Sequence, residues 1–434
     1  MKTARPDNTL ERGLHIGRLG VKLTGSYVAY QLQNLWLGNG RKAEHRRRFQ
    51  QKASRQIREE LQMLKGPVMK LGQMLSMQSG LLAPDALKEL SALQMHAPGM
   101  HPTLTRVQFK SSCSKYPEEV FREFDPEPFA AASLGQVHRA VMRNGETVAV
   151  KIQYPGIRNA VENDFKLLRS ATVAGRITGH VPKAMLDEIE TRIVLETDYL
   201  QEGRNLDTFR TKLSPLTYLQ VPRVFWELTT DRVLTMSYVG GSPLGEWLAH
   251  KPSATLRNLV GGRLFELFWF QVLQAGVLHA DPHPGNYLYS DTGEIGLVDF
   301  GCVKEIETRF PDLIRVFVQP DALTDQERAT RMAQLIWGKQ TPRRNAEIRR
   351  LMQTVLEFSH RVYPPLAATD TVVDFGDPTL FADLARISKE VIQNKLVRPE
   401  FIFFKRAEFG LYNVLHQLGT RIRTSDLLGR ILKG

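Results

Sequence analysis

The stretch His279-Ala-Asp281-Pro-His283-Pro-Gly285-Asn286, continued by Tyr287-Leu-Tyr289, Asp291-Thr-Gly293, Ile295-Gly-Leu-Val298 and Asp299-Phe-Gly301, decides how this chain is read. Asp281 and Asn286 stand five residues apart, with two prolines and Gly285 between them. The prolines impose an extended loop, so both polar side chains are preorganised at low entropic cost. Loops that transfer phosphoryl groups use this spacing. The carboxylate accepts or orients the proton of the attacking hydroxyl, and the amide oxygen holds one magnesium ion. Apolar runs on both sides of Asp291-Thr-Gly293 predict a hairpin, and Asp299 ends its second strand, a suitable place for a carboxylate that meets magnesium. A rival reading takes His279, Asp281 and His283 as metal ligands. Against it, prolines flank His283 on both sides, which forbids a regular helix, and no third soft ligand is near.

Working outward, a first hairpin is predicted from Gln136–Met142 and Thr147–Gln153 around Asn144-Gly145. Its second strand carries Lys151 in Val148-Ala-Val-Lys151-Ile. A lysine alternating with valines on a half-buried strand can bring its ammonium to the α- and β-phosphates of a nucleotide. The plainer alternative is an exposed strand lysine. Just before it, Phe129-Ala130-Ala131-Ala132-Ser133-Leu134-Gly135 lies where protein kinases carry a glycine-rich cover over the phosphates. Alanines there leave the backbone fewer conformations and restrict the approach of phosphate. Neither a Walker loop nor a dinucleotide-binding glycine fingerprint occurs.

The chain has 434 residues, of which 42% are hydrophobic and 24% charged, ordinary globular values that suit two or three domains. Two cysteines, Cys113 and Cys302, make no disulfide framework, and a reducing compartment is expected. No secretory signal is read at the amino terminus, and the most apolar run, Leu264 to Leu278, is too short to span a bilayer. Residues 1–65 hold fourteen Lys or Arg against five Asp or Glu, a net +9 of the chain's +12. That asymmetry predicts an anionic partner or, alternatively, a solvated arm. Between Leu14 and Leu37, apolar and aromatic residues mix with Arg18 and Lys22, and Arg46-Arg47-Arg48 follow. Such a helix suits a membrane interface, or docks on the rest of the protein. Gly13-x-x-x-Gly17 matches a helix-dimer pattern, and a homodimer is compatible with it. Helical periodicity is read over 53–90, 157–178, 183–205 and 256–275 and through most of the remainder, with a further strand at Arg232–Val239.

These motifs together resemble the UbiB (AarF/ADCK) family of atypical protein-kinase-like proteins, over roughly residues 10–420. The resemblance is carried by Lys70-Leu-Gly72-Gln73, the Ala130–Ser133 segment, Glu196-Thr-Asp198-Tyr and the His279–Asn286 loop. It implies an α+β, two-lobed kinase-like fold with a helical extension. Residues 1–52 would form a basic amphipathic segment, 53–115 a helical extension, 116–239 the N-lobe and 240–434 a helical C-lobe. It further implies that Lys70 and Gln73 project into the nucleotide cleft and that Lys70 pairs with Glu196 or Asp198. Lys70 and Gln73 share a helical face at i, i+3. Glu190 would be the helix carboxylate facing Lys151, and Ser133 and the backbone of Ser237, Tyr238 and Val239 would hold nucleotide. Two departures stand out: Met236-Ser-Tyr-Val-Gly240 lacks the acidic residue the family commonly carries on its connecting strand, and Glu188 neighbours Glu190.

No Ala-Pro-Glu follows Asp299 within a few tens of residues, which argues against ordinary protein phosphorylation. The resemblance implies an ATP- and Mg2+-dependent ATPase or kinase supporting ubiquinone or other isoprenoid-lipid metabolism. It would sit peripherally on a membrane on the cytoplasmic side. Asp281 and Lys151 would act on the nucleotide, and Asn286 and Asp299 on the metal. The expected partners are a nucleotide, an isoprenoid or quinone-type lipid and an anionic membrane surface, with no nucleic acid. The alternatives are a small-molecule phosphotransferase of the aminoglycoside or choline kinase type, and a nucleotide-sensing lipid-binding scaffold without productive catalysis.

Overall fold

The computed structural model describes residues 100–433 apart from 133, 160, 164, 167–189, 191–193, 282, 308–309, 313, 315–324, 338–345, 365–369 and 394–398. Residues 1–99, with Lys70 and Gln73, lie outside the described residues, as does Ser133. The chain forms two compact units. One comprises the residues up to Gly203 together with Val224–Tyr238; the other comprises Arg204–Arg223 and the residues from Val239 onward.

The first unit opens with α1 (Pro102–Cys113) and α2 (Pro117–Val120). Its strands are β1 (Glu123–Phe124), β2 (Ala130–Ala132), β3 (Gly135–Val141), β4 (Thr147–Gln153) and, later in the chain, β6 (Val233–Ser237). They make one antiparallel sheet in the order β1-β3-β4-β6, with β2 also pairing to β3. The predicted β3–β4 hairpin is present, and Gly145 at its turn has φ +90°, which a glycine adopts without strain. The alanine segment, expected as a loop, is the strand β2: Ala130, Ala131 and Ala132 pair with Val137, Gln136 and Gly135. At the start of β3, Gly135 lets β4 approach closely, because a Cβ there would stand 2.3 Å from the carbonyl oxygen of Ile152.

Helix α1 packs on this sheet through Phe109, which shares a core with Phe121, Val148, Val150, Ile152 and Val233. A buried polar chain ties the same helix to β3. Gln136 Oε1 accepts from the backbone N–H of Met100 at 2.6 Å, and its amide nitrogen donates to Thr105 Oγ1 at 2.9 Å and to His138 Nε2 at 2.7 Å. His138 is fully buried and donates from Nδ1 to the carbonyl of Asp125 at 2.9 Å, so the neutral ring has both nitrogens satisfied. Burial pushes its pKa below the ordinary 6.5, against an opposing pull from the Asp125 carbonyl. A depressed histidine pKa means the unfolded chain takes up the proton first. The stability it contributes is therefore complete above about pH 6.5 and lost as the pH falls below that value. Below about pH 6.5 the parent should lose stability from this group, at no more than about 1.4 kcal/mol per pH unit. His138→Asn should show a shallower slope in denaturant titrations; equal slopes would remove His138 from that role.

Helix α3 (Tyr199–Lys212) contains the division between the units, at Gly203 and Arg204. The second unit continues with β5 (Leu219–Gln220), α4 (Leu244–Ala249), α5 (Ala254–Phe270), β7 (Val277–His279), β8 (Tyr287–Tyr289), β9 (Ile295–Leu297) and β10 (Val303–Glu305). There follow α6 (Asp325–Trp337), α7 (Ala346–Val362), β11 (Val373–Asp374), α8 (Pro378–Gln393), α9 (Pro399–Leu418), β12 (Arg421–Ile422) and α10 (Thr424–Lys433). Ser253 caps α5 by accepting from the Leu256 N–H, and the helix buries Val260, Phe265, Phe268 and Trp269 in the core it shares with α7, α8 and α9. The long helix expected to run to Ala275 changes into a π-helical turn at Gln271–Ala275, which ends on Gly276 in the left-handed region. That turn aims Gln271 Oε1 at the backbone N–H of His279, 2.8 Å away, and so pins β7 at the entrance of the Asp281 loop.

Candidate active site

In the first unit, Lys151 lies on β4 between Val137 of β3 and Leu234 of β6. Its Nζ donates to both carboxylate oxygens of Glu202, at 2.7 and 2.9 Å, and the two side chains are only 9% and 2% exposed. The carboxylate that meets Lys151 is thus Glu202, and the expectation that Glu190 does so is corrected. The reason is a break in the helix that had been read as continuous over 183–205. Glu196 and Thr197 form a turn, and α3 begins afresh at Tyr199. Asp198 caps it: its Oδ1 accepts from the Gln201 N–H at 3.0 Å, and its carbonyl accepts from the Glu202 N–H at 3.1 Å. The cap sets the phase of the first turn and presents Glu202 to the strand. Asp198 with Gln201 three residues on is the sequence signature of a helix start, and it is the signal that points to Glu202.

Of the other residues expected here, Glu196 is buried. Its neighbour Thr197 gives its carbonyl to Gln153 Nε2 at 3.0 Å, so the turn is fastened to β4. Ser237 pairs with Val148, and the Tyr238 N–H donates to the Thr147 carbonyl at 3.1 Å. The Tyr238 ring lies edge-on to Phe129 and under the Arg139 guanidinium, 4.3 Å from the ring centre.

The second unit brings Asp281 and Asn286 together. The Asn286 amide nitrogen donates to Asp281 Oδ2 at 3.1 Å and to the Asp281 carbonyl at 3.3 Å. Both acceptors are oxygens, which assigns the amide orientation and leaves Asn286 Oδ1 out of this contact. His279 is buried, donates from Nε2 to the Asp299 carbonyl at 2.6 Å, and meets Phe209, Tyr287 and Phe300 edge-on. Phe300 is fully buried and gives its carbonyl to Asn205 Nδ2 at 2.9 Å. Asp299 is therefore held by its backbone, and its Oδ1 accepts from the Gly301 N–H at 3.0 Å. The hairpin linking Asn286 to Asp299 turns at Gly293, φ +85°, and is locked by Trp247, which stacks on Tyr289 and donates to Asp291 Oδ1.

This arrangement also answers the rival metal reading. His279 spends its Nε2 on a backbone carbonyl, and His283 Nδ1 accepts from the N–H of Gly285. Among the described residues no cluster of three or more His, Cys, Asp or Glu is placed to hold a metal. Asn286 and Asp299 instead offer two hard oxygens, the donor set magnesium takes when phosphate oxygens and water complete its shell. Burial, then the Asp281 charge, pushes the Tyr287 hydroxyl far above its ordinary range, so it stays a neutral wall of this loop. Among the described residues no helix is long and apolar enough to cross a membrane.

A sheet carrying a buried lysine–glutamate pair, with a separate helical unit bearing Asp281, Asn286 and Asp299, is the layout of a kinase-like protein. The chain belongs to the ABC1 atypical kinase-like family, whose sequence profile matches residues 92–333. Two chloroplastic proteins of Arabidopsis thaliana are similar to it. Activity of bc1 complex kinase 3 is 37% identical over 56% of this chain and 36% of its own length, and kinase 7 is 32% identical over 61% and 39%. AarF domain-containing protein kinase 1 of Xenopus laevis is 32% identical over 57% of this chain and 49% of its own length. The chain thus spans half or less of the length of these curated relatives. Among solved structures, Rv3197 of Mycobacterium tuberculosis, determined with erythromycin, matches with a TM-score of 0.63 and 25% identity, over 90% of this chain and 98% of that one.

Proposed function

We propose that this chain is an ATP- and magnesium-dependent ATPase or phosphotransferase that serves ubiquinone or other isoprenoid-lipid metabolism at a membrane surface. The observation that carries the chemical part is the Asp281–Asn286 contact, which holds a proton acceptor and a metal oxygen side by side in one rigid loop. Lys151, aimed by Glu202, neutralises charge on the α- and β-phosphates. The backbone of Ser237, Tyr238 and Val239 holds the adenine, and the alanine strand Ala130–Ala132 covers the phosphates; the nucleotide contact expected of Ser133 rests on the resemblance alone. Asp281 takes the proton from the attacking hydroxyl or water. Asn286 and Asp299 would hold magnesium, which would supply charge neutralisation for the transferred phosphoryl group. The roles expected of Lys70 and Gln73, with Glu196 or Asp198, rest on the family resemblance alone, since Lys70 and Gln73 lie outside the described residues. The lipid assignment rests on the family resemblance and on the basic residues of 1–52.

ATP hydrolysis by the full chain, with and without magnesium and with anionic liposomes, tests this reading. Asp281→Asn should lower turnover by about a hundredfold or more while nucleotide still binds. Parental turnover in that variant would overturn the proposal. Binding without turnover under any of these conditions would leave the scaffold reading in its place.

A further inference from the structure

The loop from His279 to Asn286 contains no lysine or arginine. Protein kinases place an arginine between the histidine and the aspartate of this loop. Here that position is Ala280, which is fully buried. His283, two residues beyond Asp281, turns its Nδ1 back to the Gly285 N–H at 3.0 Å. The positive charge arrives instead from α9, 125 residues further along, where Arg406 Nη2 stands 4.0 Å from Asp281 Oδ1. That oxygen is not the one engaged by Asn286, which donates to Oδ2. The two neighbours therefore grip the carboxylate from different sides.

Arg406 is not a surface side chain that happens to reach the loop. It is 15% exposed, and its Nε is buried with no hydrogen-bond partner among the described residues. A guanidinium withdrawn from water to this extent requires a nearby anion, and among the described residues Asp281 is its ionic partner. The helix that carries it is immobilised next door. Lys405 pairs with Glu408, and Glu408 Oε1 accepts from Tyr363 at 2.7 Å and from Tyr412 at 3.2 Å. The hydroxyls of Tyr363 and Tyr412 also meet, and all four of these side chains are buried. This cluster lies on the elements that flank Arg406 and holds its backbone in register, as a positioned site requires.

We infer that Arg406 is a positioning residue for Asp281: its positive charge holds the carboxylate at the angle from which it takes the acceptor's proton. The inference rests on the reading of Asp281 given above. Its test uses the full chain with Mg–ATP and four variants: Arg406→Gln, Arg406→Lys, Asp281→Asn and the Arg406→Gln/Asp281→Asn double. Arg406→Gln should reduce kcat by about ten- to a hundredfold through misplacement of the carboxylate. Nucleotide affinity should remain within about twofold, because Arg406 touches the proton acceptor rather than the nucleotide. Arg406→Lys, which restores a cation on a similar stem, should recover most of the loss. In the Asp281→Asn background the second substitution should cost nothing further, since the two report one interaction. Unchanged kcat in Arg406→Gln, a loss confined to nucleotide affinity, or an equal fractional loss in the Asp281→Asn background would each overturn the inference. If Arg406→Gln melts, Arg406→Lys decides: a parental melting temperature with kcat below about a tenth of parental would also overturn it. Parental turnover in Asp281→Asn would instead remove the reading of Asp281 itself, whatever Arg406 does.

Discussion

Glu202→Ala should destabilise the first unit by about 3–5 kcal/mol, the usual consequence of removing one partner from a buried ion pair. Lys151 Nζ would lose both carboxylate oxygens it now meets at 2.7 and 2.9 Å, in a place where water does not readily replace them. The same change should weaken Mg–ATP binding, because the ammonium would no longer be aimed. Stability and function can be separated by the double variant Lys151→Met/Glu202→Leu. Apolar side chains of similar volume carry no desolvation cost, so the double variant should regain most of the melting temperature yet remain unable to bind nucleotide. Glu190→Gln is the contrast. If it matched Glu202→Ala in loss of Mg–ATP affinity, the assignment of the pair to Glu202 would fail.

The second large effect is expected at Asp299. Asp299→Asn keeps an Oδ1 to accept from the Gly301 N–H, and the backbone remains held by His279 through the Asp299 carbonyl. The fold should therefore survive. What disappears is one negative charge from a metal–phosphate cluster, worth about 2–4 kcal/mol of Mg–nucleotide binding. By thermal shift, the parent should gain stability from Mg–ATP at concentrations where the variant gains none. Equal stabilisation of both proteins would show that Asp299 does not hold the metal.

Both predictions depend on residues of different legibility. Asp299 can be found in the sequence because it lies one hairpin after the Asp281–Asn286 loop, and the turn between them is marked by Asp291-Thr-Gly293. Glu202 lies 51 residues from Lys151, and no periodicity links a strand lysine to one of several carboxylates on a later helix. The choice between Glu190 and Glu202 hangs on where the helix restarts, and that is set by the hydrogen bond from the Gln201 N–H to Asp198. The capping signature is present in the sequence, but the helical periodicity on either side of it conceals the break.

What the sequence by itself determined was local. Glycines at positive φ, prolines and alternating apolar residues specify the β3–β4 and β8–β9 hairpins and the Asp281 loop, because these depend on the backbone preferences of neighbouring residues. The motifs ordered along the chain then determined the family. The tertiary structure alone decided which distant groups meet: Glu202 with Lys151, Gln271 with the backbone of His279, and Arg406 with Asp281. It also decided that Ala130–Ala132 pair with Gly135–Val137 as a strand, a pairing that alanine's weak strand preference does not specify. The physical reason is the same in each case. Local conformation follows from sterics within a few residues, whereas a long-range ion pair forms only where packing of the whole unit has removed water and fixed the two charges at contact distance.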